Sequence, residues 1–184
     1  MLWPGPETQG RESLGDEVQS ALKWLKSHST KATLPAQMDR WCKDFDNCGI
    51  SDTMCFNLFD RTRHAWAKVT QWSNSEDEFV KRTAFALLWS LSVHDKRAGD
   101  EPFIRGLVLI ERAADDERHF VKKALNVALR AIGKRNRALN AAAVAVARRL
   151  AGSPNAAARW VGKDALRELT SPAVLRRLAL RHDV

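Results

Sequence analysis

Three segments of this chain repeat one pattern at a nearly constant interval. Phe79-Val80-Lys81-Arg82-Thr83-Ala84 is followed by Phe120-Val121-Lys122-Lys123-Ala124-Leu125 and then by Trp160-Val161-Gly162-Lys163-Asp164-Ala165. The opening aromatics stand at 79, 120 and 160, steps of 41 and then 40 residues. Each copy begins with an aromatic and a Val and carries a basic residue three positions after the aromatic, Arg82, Lys123 and Lys163. A period of about 40 residues in helical sequence marks helix pairs that cannot bury their apolar face alone and must stack on one another. Stacking sets equivalent positions side by side, so the three cations are expected to line one surface.

The surrounding sequence supports helices throughout. Pro35 can open a helix running to about Phe45, Ile50 to Asp60 is a second apolar helix, and Thr62 to Trp72 a third. Ser75 with Glu78 reads as a capping box for a helix reaching Val93. Pro102 launches one to Ala114, Asp115 and Asp116 are candidate caps for the next, and Gly133 is a candidate left-handed C-cap after Ile132. Asn136 can cap Arg137 to Ala151, which Gly152 closes, and Ser153-Pro154 and Ser171-Pro172 each pair an N-cap with a first-turn proline. Nothing alternates at period two over a useful length. The expected fold is all-α, a right-handed α-α superhelix of HEAT/ARM-like repeats with a basic concave face. Residues 1–15, rich in Gly, Pro and Glu, are expected to be a flexible terminus, and 16–184 a single repeat domain whose first element is an amphipathic helix from Asp16 to Ser27.

Charge narrows the class of partner. The 184 residues carry a formal +8. From Glu117 to Val184 there are 15 Lys and Arg against four acids, leaving the first 116 residues at −3, and Arg118 to Lys163 contains 11 basic residues and no acid. Such asymmetry points to a polyanion, nucleic acid first and an anionic membrane surface second, while solvated helix faces are the plain alternative. Arg82, Lys123 and Lys163, with Arg130, Lys134 and Arg135, fall on or just after the second helix of successive pairs. That row could follow a phosphate backbone, with an affinity that falls steeply with salt.

The other chemistry-bearing residues are sparse. Asp52 is the carboxylate of interest, near the start of an apolar helix, where the helix dipole alone could also explain a negative charge. Cys42, Cys48, Cys55 and His64 match no zinc spacing, and buried free thiols are the better reading. His94 and His119 are isolated, and Gly133-Lys134 is no phosphate loop. No metal and no cofactor is expected. Trp41, Trp66, Trp72, Trp89 and Trp160 fall mostly on apolar faces, where core packing is the default. No apolar run approaches the roughly 20 residues of a membrane span, and no signal-peptide pattern is present. A cytoplasmic monomer is expected.

Taken together, Asp46-Asn47-Cys48-Gly49-Ile50-Ser51-Asp52, Phe79 to Ala84, and the run FVKK-x4-ALR-x2-GKRN from Phe120 to Asn136 resemble the DNA alkylation-repair family of HEAT-like-repeat DNA glycosylases, the AlkD type, over about Met38 to Arg177. The resemblance implies a catalytic role for Asp52, a DNA-contacting role for Arg82 beside the lesion, and equivalence of Arg130 with the Arg of the family's ALR segment. It also implies that Cys48 and Val127 occupy positions where the family carries Trp against the lesion. The family excises cationic alkylated purines, 3-methyladenine and 7-methylguanine, from double-stranded DNA without a metal. A base-excision glycosylase is therefore one expectation, and a DNA- or RNA-binding module of the same scaffold without catalysis the other.

Overall fold

The structure is a computed structural model and describes residues 34–180. The amphipathic helix expected over residues 16–27, and the terminus before it, lie outside the described residues. Among the described residues there are nine α-helices and no strand: α1 (Leu34–Lys43), α2 (Cys48–Asn57), α3 (Ala65–Trp72), α4 (Glu78–His94), α5 (Glu101–Arg112), α6 (His119–Gly133), α7 (Arg137–Ala151), α8 (Ala156–Leu169) and α9 (Pro172–Ala179). A short 3-10 turn, Phe59–Arg61, follows α2. The fold is an all-α helical repeat, as the periodicity predicts. No described helix is long and apolar enough to cross a membrane.

The helix starts follow from short polar side chains placed before the first unpaired backbone amides. Asn47 accepts from Ile50 N at 3.0 Å, Asn136 from Leu139 N at 2.8 Å, and Ser171 from Val174 N at 3.4 Å with Pro172 behind it. Three expected caps are corrected. Asp77, not Ser75, caps α4, accepting from Phe79 N at 2.9 Å and Val80 N at 3.1 Å, while Ser75 Oγ takes the amide of Asp77 at 3.1 Å. Asn155, not Ser153, caps α8, accepting from Ala158 N at 2.9 Å. Asp116 does not cap α6, because Arg118 and Lys81 both take its carboxylate.

Packing puts α2, α4, α6 and α8 in one row, with α3, α5 and α7 behind them. At the centre, α4 is buried on nearly all sides: Val80, then Arg82 to Leu88, and Ser90 to Ser92 are all buried. A helix so placed reads apolar all round, and its few polar groups must find partners inside. Ser51 Oγ meets Thr83 Oγ1 at 3.0 Å, and Ser90 Oγ donates to Cys55 O at 3.2 Å, tying α2 to α4. Asp60 of the 3-10 turn, its side chain 1% exposed, lies 2.5 Å from Ser90 Oγ and 2.6 Å from His94 Nδ1. Along the row, Phe85, Leu88, Leu125, Leu129, Ile132 and Val161 carry the buried apolar surface.

The repeat is visible in the contacts themselves. The rings of Phe79 and Phe120 lie 5.2 Å apart, and Lys122 Nζ stands 5.4 Å from the Trp160 ring. Equivalent helix starts are thus in register along one edge. Trp160 is 43% exposed and carries this cation on its ring, so it departs from the core role expected of the tryptophans. Two glycines serve close approach. A Cβ on Gly162 would meet Ala151 N at 2.2 Å and Ala147 O at 2.6 Å, so α7 and α8 touch backbone to backbone. Gly133 belongs to α6 rather than forming a left-handed cap after it; its missing Cβ makes room for Leu169, which a methyl would meet at 2.6 Å.

Candidate nucleic-acid site

Helical spacing decides which side chains share a face. On α2, Cys48, Asp52 and Phe56 are four residues apart; on α4, Arg82, Ala86, Trp89 and Val93 recur at three and four; on α6, Lys123, Val127 and Arg130 do the same, and Lys134 follows four residues on as the C-cap. These stripes hold most of the residues the sequence singles out.

Asp52 and Arg82 meet at the centre. Arg82 Nη2 donates to Asp52 Oδ1 at 2.6 Å and reaches Cys48 O at 3.4 Å, while its Nε, buried, finds no acceptor among the described residues. Arg82 is 5% exposed and the Asp52 side chain 32%. Burial raises the Asp52 pKa, and the attraction and hydrogen bond of Arg82 offset only part of that rise. The result is a carboxylate more basic than an ordinary Asp, open to solvent on one side and fixed on the other by a guanidinium that stays charged.

The six cations expected to form one basic surface divide into four groups. Lys123 and Lys163 are exposed. Arg82, at the equivalent repeat position, is drawn inward by Asp52, so the expected exposed row of three is corrected to two. Arg130 pairs with Glu168 and lies 4.0 Å from Asp164, and Lys134 Nζ reaches Glu168 Oε1 at 2.5 Å. Arg135 is a staple: it donates to Ser92 O at 2.7 Å and Asp95 O at 2.9 Å, and stacks 3.9 Å from the Phe103 ring centroid. The carbonyls ending α4 lack intrahelical donors, and Arg135 supplies them.

Of the positions where the resemblance implies Trp, Cys48 is exposed and Val127 half-buried, and neither presents an aromatic ring. All three cysteines are free thiols; Cys42 and Cys55 are buried as expected, but Cys48 is exposed. Among the described residues no group of His, Cys, Asp and Glu could hold a metal ion. The aromatic pair on this face is one the sequence reading passes over: Phe56, one turn beyond Asp52, meets Trp89, two turns beyond Arg82, edge to face with centroids 4.5 Å apart. Its signal lies in the spacing from Asp52 and Arg82, but a Trp on an apolar face ordinarily means core.

No match to the chain is found among curated proteins. A family model described as DNA alkylation repair enzyme matches residues 12–169, which include Asp52, Arg82 and every helix from α1 to α8. The chain therefore belongs to the DNA alkylation repair enzyme family.

Proposed function

We propose that the chain is a DNA glycosylase that removes cationic alkylated purines from double-stranded DNA, with Asp52 as its catalytic carboxylate. The observation that carries this reading is the Asp52–Arg82 pair, a half-buried carboxylate held in one orientation with a raised pKa. Hydrolysis breaks the bond between the sugar C1′ and the base nitrogen. The electron pair goes to the base, which leaves neutral because it began cationic, so no strong general acid is needed. Positive charge develops on the sugar, and a carboxylate beside it stabilises that charge. Water then adds to C1′ and gives its proton to Asp52, a step the raised pKa favours. Arg82 holds the carboxylate in place, while Lys123, Lys163 and Arg130, the last exchanging Glu168 for a phosphate, contact the backbone.

The test is release of 7-methylguanine from methylated duplex by wild type and Asp52→Asn. Loss of one electrostatic group of this kind costs about 100- to 1000-fold in rate, so the Asp52→Asn variant is expected to leave release near background while duplex affinity survives. Wild type releasing no alkylated base at any salt concentration refutes the reading. A non-catalytic DNA- or RNA-binding module is favoured by one observation, that Arg82 already neutralises Asp52 at 2.6 Å. It predicts salt-sensitive binding that Asp52→Asn leaves unchanged and no base release by either protein.

A further inference from the structure

Below the Asp52–Arg82 pair, a groove opens between the C-terminal end of α4, the loop that follows it and the turn from α6 to α7. Its cavity volume is 1310 Å³, and its walls include Trp89, Lys96, Lys134, Arg137 and Arg177 with one acid, Asp100. That volume exceeds the roughly 300–1,000 Å³ of an ordinary small-molecule pocket, which suits a run of polymer rather than a single metabolite. Asp100 is engaged by Asn136 Nδ2 at 2.8 Å, and Lys96, Arg137 and Arg177 are exposed. The electrostatic character of the groove is therefore positive, and its aromatic wall is Trp89.

We propose that this groove binds a single strand of DNA, with Trp89 stacking on an unpaired base and Lys96, Arg137 and Arg177 taking the flanking phosphates. An aromatic wall within a basic groove is the arrangement that holds single strands without sequence preference, because every base has a face to stack and every linkage a charge. A paired base inside a duplex has no free face for Trp89. The groove also lies along the stripe that carries the carboxylate. At 1.5 Å per residue, Phe56 is about 6 Å beyond Asp52 and Trp89 about 10 Å beyond Arg82 along their helices. With about 3.4 Å per nucleotide along one strand, a strand opened at Asp52 would reach Trp89 within about three nucleotides. This activity goes beyond base removal and does not require it.

The experiment is fluorescence anisotropy with an unmodified, labelled oligothymidylate, titrated at several salt concentrations. Base–aromatic stacking of about 1–3 kcal/mol makes Trp89→Ala bind roughly 5- to 150-fold more weakly, with the slope of log affinity against log salt unchanged. Trp89→Phe retains most of the affinity. Arg137→Ala combined with Arg177→Ala lowers the slope by about 1.4, from roughly 0.7 per neutralised phosphate on a single strand. Far-UV circular dichroism reports folding, and if Trp89→Ala does not fold, Trp89→Phe and the double arginine variant still decide. The proposal is overturned if folded Trp89→Ala binds as wild type does, if folded Trp89→Phe loses affinity by about 5-fold or more, or if the double variant leaves the slope unchanged. Base release from methylated duplex is scored separately. A protein that binds the oligonucleotide and releases no base keeps this inference and loses the glycosylase reading; the converse result loses this one alone.

Discussion

Replacing Gly162 with Ala tests the backbone-to-backbone approach of α7 and α8. In an ordinary helix interior this change stabilises by about 1 kcal/mol, since Gly is the poorer helix former. Here the new methyl would sit 2.2 Å from Ala151 N, 2.6 Å from Ala147 O and 2.6 Å from Leu150 C, all backbone atoms of α7. A side chain could rotate away, but a helix backbone cannot. Restoring ordinary contact requires α7 and α8 to separate by about 1 Å, and a gap of that size forfeits a quarter to a half of each dispersion contact it opens. Overpacking of a well-packed interface costs about 1–3 kcal/mol, and the rigid neighbours place Gly162 at the upper end. Set against the propensity gain, the net loss is about 2 kcal/mol, a fall in Tm of about 4–8 °C for a chain of this size. Urea unfolding followed by circular dichroism measures it. Gly99→Ala is the control, because nothing lies within 4 Å of its Cβ position, and it is expected to change stability by less than about 0.5 kcal/mol. Unchanged or increased stability of Gly162→Ala would refute the claim that α7 and α8 meet backbone to backbone.

Three shorter predictions concern titratable groups. Arg118 and Lys81 hold the Asp116 carboxyl well below the usual range, the hydrogen bonds of Arg118 contributing most, and its side chain is 7% exposed. A depressed folded pKa gives stability that is present above the ordinary Asp value and lost as pH falls through the folded one; Asp116→Asn should therefore cost about 2 kcal/mol at neutral pH and progressively less in acid, read from urea midpoints across pH. For Asp52 the sign is opposite, since burial raises its pKa, so base release should fall on acidification at a pH above that of an ordinary Asp. A rate profile flat down to about pH 4, the ordinary Asp value, would contradict it. Burial also pushes the Cys42 and Cys55 thiols up, whereas Cys48 is exposed, so a thiol reagent at neutral pH should modify one cysteine rapidly and the other two only on unfolding.

Much of the scaffold is legible because the 40-residue interval is a local regularity repeated, and Pro35, Asn136 and Ser171-Pro172 announce helix starts through their own chemistry. The misread caps show where that legibility stops. Ser75 and Asp77 are both competent caps two residues apart, and the choice falls to Asp77 because its carboxylate reaches two amides while Ser75 satisfies Asp77's own. Asp116 looks like a cap, but Arg118 and Lys81 compete for it, and Lys81 comes from another helix. The site is legible as positions rather than as geometry. Asp52 and Arg82 can be named, yet only folding shows that a residue 30 positions away draws Arg82 inward, out of the row that Lys123 and Lys163 share. Arg135 reads as surface charge until the unpaired carbonyls ending α4 appear beside it.

The contacts of Phe79 with Phe120 and of Lys122 with Trp160 carry an implication for how such a molecule can change. Each seam joins a motif to its own copy, so an additional helix pair spliced between two others would encounter the partner surface it already expects. Array length is thus open to duplication or deletion away from α4. Arg130 and Glu168 pair across the last turns of α6 and α8, whereas Asp52 and Arg82 pair near the starts of α2 and α4, and that end of the array must stay as it is.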